Sequence, residues 1–283
     1  MLRNNVTVIV RTADERTIDA CLDSIKDQVE AHNIIVIKEK PFYKAVQKTF
    51  ELGIKGEKKW TLAIDADLVL LPNAIHIMLD RAEQLDDQLY IYQGFILDKF
   101  KCGKRQGGPH LYRTSHLSKA LEMLERDNES LRPESNTYKK MGSLGYHVVL
   151  DKKIFALHDF FQSYADIYRK AYFHGIKHKG WYTLLPQWIR KSENDMDYKI
   201  ATLGFIDGYY SEGNSYPSVD QFREKVLYIL ENRFELLEKE KLVFKNHNLF
   251  EHLEKHNISF NKELDILTKK KSLVTKLKNK LFK

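Results

Sequence analysis

Cysteine is nearly absent: Cys21 and Cys102 are the only two in 283 residues. That excludes a disulfide framework and a cysteine-built metal site, and both are expected to be free thiols. No stretch approaches the ~18 consecutive apolar residues needed to span a bilayer. The opening MLRNNVTVIVRTADE lacks the longer apolar core and small-residue cleavage site of a signal peptide, so a cytoplasmic location is expected. There is no internal repeat, no long linker, and no glycine in VRTADERT (10–17), where a phosphate loop would follow a first strand. A broad positive field is missing as well. Seven of the 46 basic residues lie between Thr268 and Lys283 with no acid among them, which accounts for the net charge of +7 and leaves 39 bases against 39 acids elsewhere. A neutral body lacks the basic face that nucleic-acid binding needs, so nucleic acid is not an expected partner.

What is present suffices for a large core, at 43% hydrophobic residues, in one domain or a domain with an extension. VTVIVR (6–11) is an apolar, β-branched run followed by Thr12 and Glu15 at capping-box spacing. Ile18, Cys21, Leu22 and Ile25 then repeat at helical spacing. NIIVIK (33–38) reads as a second strand, and Pro41 opens a helix expected to end at Gly53. WTLAI (60–64) is a third strand, and Pro72 opens a helix bearing Ile75, Met78, Leu79 and Ala82. This alternation predicts a mostly parallel sheet covered on both faces. A strand over 89–97, a glycine-bearing loop KCGKRQGGPH (101–110), a helix near Ser115 to Arg126 and a strand over 146–150 follow, and from Phe160 the pattern is helical and aromatic. The predicted division is 1–190 for the α/β domain and 191–283 for a mostly helical region.

Asp65 and Asp67 stand directly after the third apolar strand, at the carboxyl end where open α/β sheets bind ligands. From the residues alone they read as a polar strand end, as a cation clamp for a phosphorylated substrate, or as a phosphoryl-accepting nucleophile with its acid partner.

The order of several pieces resembles the nucleotide-sugar-binding fold of family 2 glycosyltransferases, the GT-A type, over roughly residues 4–180. These pieces are VTVIVRTADERTIDACLDSIKDQ, IDAD, Gly107-Gly108 followed by HLYR (110–113), RPESNTYKKMGSLGYHVV and IFALHDFFQSYADIYRKAYFHG. The resemblance implies a metal-dependent transferase, inverting in outcome. It would move a sugar from a nucleotide-sugar donor, a UDP-sugar by analogy, to a cell-surface glycan or lipid-linked acceptor. A Mn²⁺ or Mg²⁺ would be held by Asp65, Asp67 and His158, with Asp65 also able to contact the ribose. Glu134, eleven residues before Gly145, matches the family's catalytic base. Arg11, Thr12, Glu39, Lys44, Gly108 and Arg113 fall where the donor would be lined.

Two departures stand out. Ser135 follows Glu134 where the family has a second acid, and KEKPFYKAVQK (38–48) replaces its acidic stretch after strand two. A nucleotidyltransferase on a similar fold would usually show a glycine-rich loop after strand one. A haloacid-dehalogenase-type phosphatase with Asp65 as nucleophile would carry its motif on the first strand. A scaffold that has lost its chemistry is a further alternative, against which the intact dyad argues. Finally, LDILTKKKSLVTKLKNKLFK (264–283) places Leu273, Val274, Leu277 and Leu281 on one helical face among lysines. That pattern is expected to bind an anionic membrane surface peripherally.

Overall fold

A computed structural model describes residues 1–125, 133–211 and 219–243. In chain order the elements are β1 (Val6–Arg11), α1 (Ile18–Lys26), β2 (Ile34–Ile37), α2 (Phe42–Lys55), β3 (Trp60–Asp65), β4 (Leu68–Leu70), α3 (Ala74–Ala82) and β5 (Leu89–Asp98). They continue with β6 (Gly103–Arg113), α4 (Leu117–Met123), α5 (Pro133–Ser143), β7 (His147–His158), α6 (Tyr164–Lys177), α7 (Leu185–Lys191), α8 (Met196–Tyr209) and α9 (Val219–Phe234).

The first three strand-helix units follow the sequence pattern closely. The Thr12 hydroxyl does bond Glu15, at 2.8 Å, but in a turn that precedes α1, which starts only at Ile18. Gly53 lies inside α2 instead of ending it. In β3, Trp60, Leu62 and Ile64 pack with Cys21 and Ile25 of α1 and Ile75, Met78 and Leu79 of α3. Ala63 faces the other way, toward Val46 and Phe50 of α2, Leu117 of α4 and Met141 of α5. The period-two alternation of the strand thus sorts the helices onto two faces.

The sheet has seven strands in the order β2-β1-β3-β6-β5-β7-β4, and it is mixed, which corrects the expectation of a mostly parallel sheet. β1 is parallel to β2 and β3, and β5 to β7, while β6 runs antiparallel to both β3 and β5, and β4 antiparallel to β7. The cause is the glycine-bearing segment read as a loop. From Gly103 it is a strand that turns back on β5, pairing Asp98 with Gly103 and Ile91 with Tyr112, and inserts next to β3. β3 is third in the order and β4 seventh, yet only Ala66 and Asp67 separate them in the chain. The sheet must therefore curl until its far edge meets the end of β3, and the two aspartates mark that meeting point.

The helices after β7 form their own aromatic core. Tyr168 and Tyr172 of α6, Trp188 of α7, Phe205 of α8 and Phe222 of α9 pack around Phe100 from the β5–β6 turn. α6 and α8 approach backbone to backbone. A Cβ at Gly204 would lie 2.4 Å from the Tyr168 carbonyl oxygen, and one at Gly208 2.0 Å from that of Tyr172, so only glycine permits this crossing. Residues Met1–Leu242 cluster as one compact unit. The helices that follow β7 begin with α6 at Tyr164. The basic stretch 264–283 lies outside the described residues. Among the described residues no helix is long and apolar enough to cross a membrane.

Candidate active site

Ala66 and Asp67 form the turn between β3 and β4. Ala66 N–H donates to the Arg11 carbonyl, 2.9 Å, and the Thr17 hydroxyl donates to the Ala66 carbonyl, 2.7 Å, which fixes the turn against the β1–α1 loop. The turn divides two clusters of charge.

The first gathers around Asp67. The β4–β7 register sets Leu68 opposite His158, and the β5–β7 register sets Asp98 beside the same histidine. Asp67 Oδ2 lies 2.5 Å from Lys170 Nζ and 3.5 Å from His158 Nε2. His158 Nδ1 lies 3.0 Å from carboxylate oxygens of both Asp98 and Asp159. Asp159 also pairs with Lys170, and Arg105 Nε donates to Asp98 at 2.5 Å. Burial would raise the Asp67 carboxyl, but Lys170 and His158 outweigh it and hold the group well below the usual carboxylate range. Burial would likewise lower His158, yet Asp159 and Asp67 raise it well above an ordinary histidine. Buried charges persist here because each has a partner of opposite sign.

The second cluster lies on the other side of the turn. Arg11, at the end of β1 and buried, donates from Nε to Asp65 Oδ1 at 2.7 Å and from Nη1 to Glu134 Oε1 at 2.7 Å. The Tyr112 hydroxyl donates to the same Glu134 oxygen at 2.9 Å, and His110 Nδ1 is 3.7 Å from it. Against burial, which would raise it, Arg11 and His110 hold the Glu134 carboxyl well below its ordinary value. The Asp65 side chain is 42% exposed, against 11% for that of Glu134.

Asp67, His158 and Asp159 each offer a ligand atom, and these atoms lie within 4.8 Å of one another. Oxygen-rich donors with one imidazole suit Mn²⁺, and oxygen donors suit Mg²⁺. Asp67 Oδ1 is buried with no hydrogen-bond partner, so the carboxylate has ligand capacity that nothing in the protein uses. Asp98 on Nδ1 steadies the His158 ring with Nε2 toward Asp67, the arrangement by which carboxylates orient metal-binding histidines. These residues fit a divalent cation.

The structure thus brings Asp67 and His158 together and adds Asp159, while turning Asp65, also predicted as a ligand, toward Arg11. Gly108 lies close by, since a Cβ there would stand 3.5 Å from Leu68 Cδ1. Thr12 closes the turn after β1, and Glu39 and Lys44 are exposed at the entrance to α2. Arg113 is not brought to either cluster. It pairs with Trp60 in the β3–β6 register, at the opposite end of β3 from Asp65. There it stacks on the Trp60 ring at 4.9 Å and binds Asp87 and the carbonyls of Leu85 and Asp86, so it anchors the loop that precedes β5. Asp98, Arg105, Asp159 and Lys170 escaped the sequence reading. Only Asp159, adjacent to His158 at a strand end, carried a visible signal.

No protein-family model matches the chain, and no curated protein matches it by sequence. Solved structures similar to it include the mannosyltransferase PcManGT from Pyrobaculum calidifontis in complex with GDP-Man and Mn²⁺, at 14% identity over 83% of this chain and 77% of that one, TM-score 0.41. S. aureus TarS, residues 1–349, matches at 12% identity over 82% and 76%, TM-score 0.38. A CMP:2-keto-3-deoxy-manno-octonic acid synthetase complexed with CTP matches at 8% identity over 54% and 91%, TM-score 0.37. At such identities the functional reading rests on the site's own residues.

Proposed function

We propose that this protein is a metal-dependent glycosyltransferase that moves a sugar from a nucleoside-diphosphate donor to a hydroxyl of a cell-surface glycan or lipid-linked acceptor. The observation that carries this reading is the convergence of Asp67, His158 and Asp159 beyond the carboxyl end of β3. Those three residues would hold Mn²⁺ or Mg²⁺, which supplies positive charge to the departing diphosphate. In the reaction the acceptor oxygen bonds to the anomeric carbon and releases its proton to solvent, the carbon–oxygen bond to the phosphate breaks, and its electron pair leaves with the nucleoside diphosphate. Arg11 holds Asp65 in one orientation, with the exposed part of that carboxylate free to meet a donor hydroxyl. Glu134 acts through Arg11 as a positioning residue, because a buried carboxylate held at low proton affinity is a poor acceptor for the hydroxyl proton.

A thermal-shift panel of nucleoside diphosphates tests the reading. One diphosphate is expected to raise the unfolding temperature selectively when Mn²⁺ is present and to lose that effect with EDTA. Absence of any nucleotide response with Mn²⁺ would sink the transferase. A larger response to a triphosphate would favour the nucleotidyltransferase, and a beryllium fluoride adduct at Asp65 without base preference would favour the phosphatase.

The acceptor side of the proposal places the enzyme at the cytoplasmic membrane face, supported by the basic amphipathic pattern of 264–283. The full chain is expected to sediment with anionic vesicles at low salt, to be released as salt rises, and to lose binding when truncated after Asn261. Equal sedimentation of the truncated chain would remove the tail from membrane binding.

A further inference from the structure

Lys170 comes to the candidate cation site from α6, a helix fixed by its close crossing with α8. Its ammonium stands 2.5 Å from Asp67 Oδ2 and bridges to Asp159 Oδ1. Those carboxylates belong to two of the three residues whose ligand atoms converge. The side chain is 17% exposed, so the ammonium is largely screened from water where it meets them. A divalent cation bound by the same carboxylates would lie a few ångströms from that ammonium, and like charges at such a separation repel strongly where water is scarce. The helix cannot retreat, because its contact with α8 is already at backbone distance. The lysine stem can, since it is flexible and carries a compact charge at its tip. Asp67 Oδ1, buried and without a partner, shows that the ammonium leaves one oxygen of this carboxylate unused.

We propose that Lys170 is an exchangeable counter-ion of the cation site: its ammonium bridges Asp67 and Asp159 when no metal is bound, and Mn²⁺ enters by displacing it. The proposal rests on Asp67, His158 and Asp159 being cation ligands. Lys170 is then a positioning residue that keeps two converging carboxylates together before the metal arrives and sets the affinity with which it binds. A lysine serving only the fold would leave metal affinity unchanged or weakened on removal. An exchangeable counter-ion makes the opposite demand: removing the charge weakens the metal-free protein and tightens the metal.

Calorimetry with MnCl₂ alone on the full chain separates the two. Lys170→Met, which keeps the length of the side chain, and Lys170→Gln, which keeps a hydrogen-bond donor, are both expected to bind Mn²⁺ at least about tenfold more tightly than the wild type. Lys170→Arg is expected to stay near the wild type. Without metal, Lys170→Met should unfold at a lower temperature and recover on addition of Mn²⁺. In the wild type, Mn²⁺ should increase the labelling of Lys170 by an amine-reactive reagent, read by mass spectrometry. If the wild type binds Mn²⁺ and neither Met nor Gln binds it more tightly, or if Mn²⁺ leaves the labelling unchanged, the exchange is overturned while the cation site stands. If no variant and no wild-type protein binds Mn²⁺, the cation site itself falls, and the exchange with it.

Discussion

Asp67→Asn is expected to abolish the Mn²⁺-dependent binding of nucleoside diphosphate, with affinity for the metal falling by about 10²-fold or more. The substitution keeps the shape of the side chain and removes an anionic ligand whose Oδ1 has no other partner. A nucleotide present at about 100 times its dissociation constant stabilises a protein by about 2.7 kcal/mol, and that increment should vanish from the thermal shift. The fold should survive, because Lys170 keeps Asp159 and His158 keeps Asp98 and Asp159. The cost of the lost charge-assisted bond is about 1–3 kcal/mol. Asp65→Asn is the control that the geometry supplies. Asp65 stands outside the converging ligands and is bonded to Arg11, so its variant should weaken nucleotide binding and still bind Mn²⁺. Unchanged metal and nucleotide affinity in Asp67→Asn would take the aspartate out of the mechanism.

Glu134→Gln is expected to destabilise the protein by about 3–5 kcal/mol at neutral pH, the usual cost of breaking a buried ion pair from one side. Arg11 would keep Asp65 but lose its inner partner, and the Tyr112 hydroxyl would face a neutral amide in place of a carboxylate. The sign of the pH dependence follows from Glu134 being held below its ordinary value by Arg11 and His110 against its burial. A depressed carboxyl contributes fully above its unfolded pKa of about 4.3 and loses that contribution as pH falls toward its folded value. Wild type and variant should therefore differ most in urea unfolding at pH 7 and converge in acid. Equal stability at pH 7 would show that the pair does not support the fold. A folded variant with a kcat about 10²-fold lower at unchanged donor KM would instead restore Glu134 as the base.

Much of this architecture was legible because local patterns report local burial. The apolar run WTLAI reflects a strand covered on both faces, and the helical spacing of Ile18, Cys21, Leu22 and Ile25 a helix meeting one face of the core. The reading weakened where pairing partners are distant. Nothing within 101–110 says that Gly103–Arg113 is a strand inserted against β3, because glycines in a turn and glycines where two backbones approach look the same in one dimension. The same holds for Arg113: its place at the end of HLYR is readable, but which end of β3 it pairs with depends on the register that sets it opposite Trp60.

The sequence by itself determined the alternating α/β core and the two aspartates at the carboxyl end of β3, matters of residue type and spacing along one segment, while His158 was marked only by the family resemblance. Only the tertiary structure decided how these are used. The curl of the sheet brings β4 against β7, and that pairing sets His158 and Asp159 beside Asp67, while the β1–β3 register sets Arg11 beside Asp65. Two neighbouring carboxylates of the same chemistry thereby acquire different partners, a lysine and a histidine for one and a buried arginine for the other. Charge acts through space, over a few ångströms in a site with little water. The role of each aspartate therefore follows from which strand edges the fold closes together.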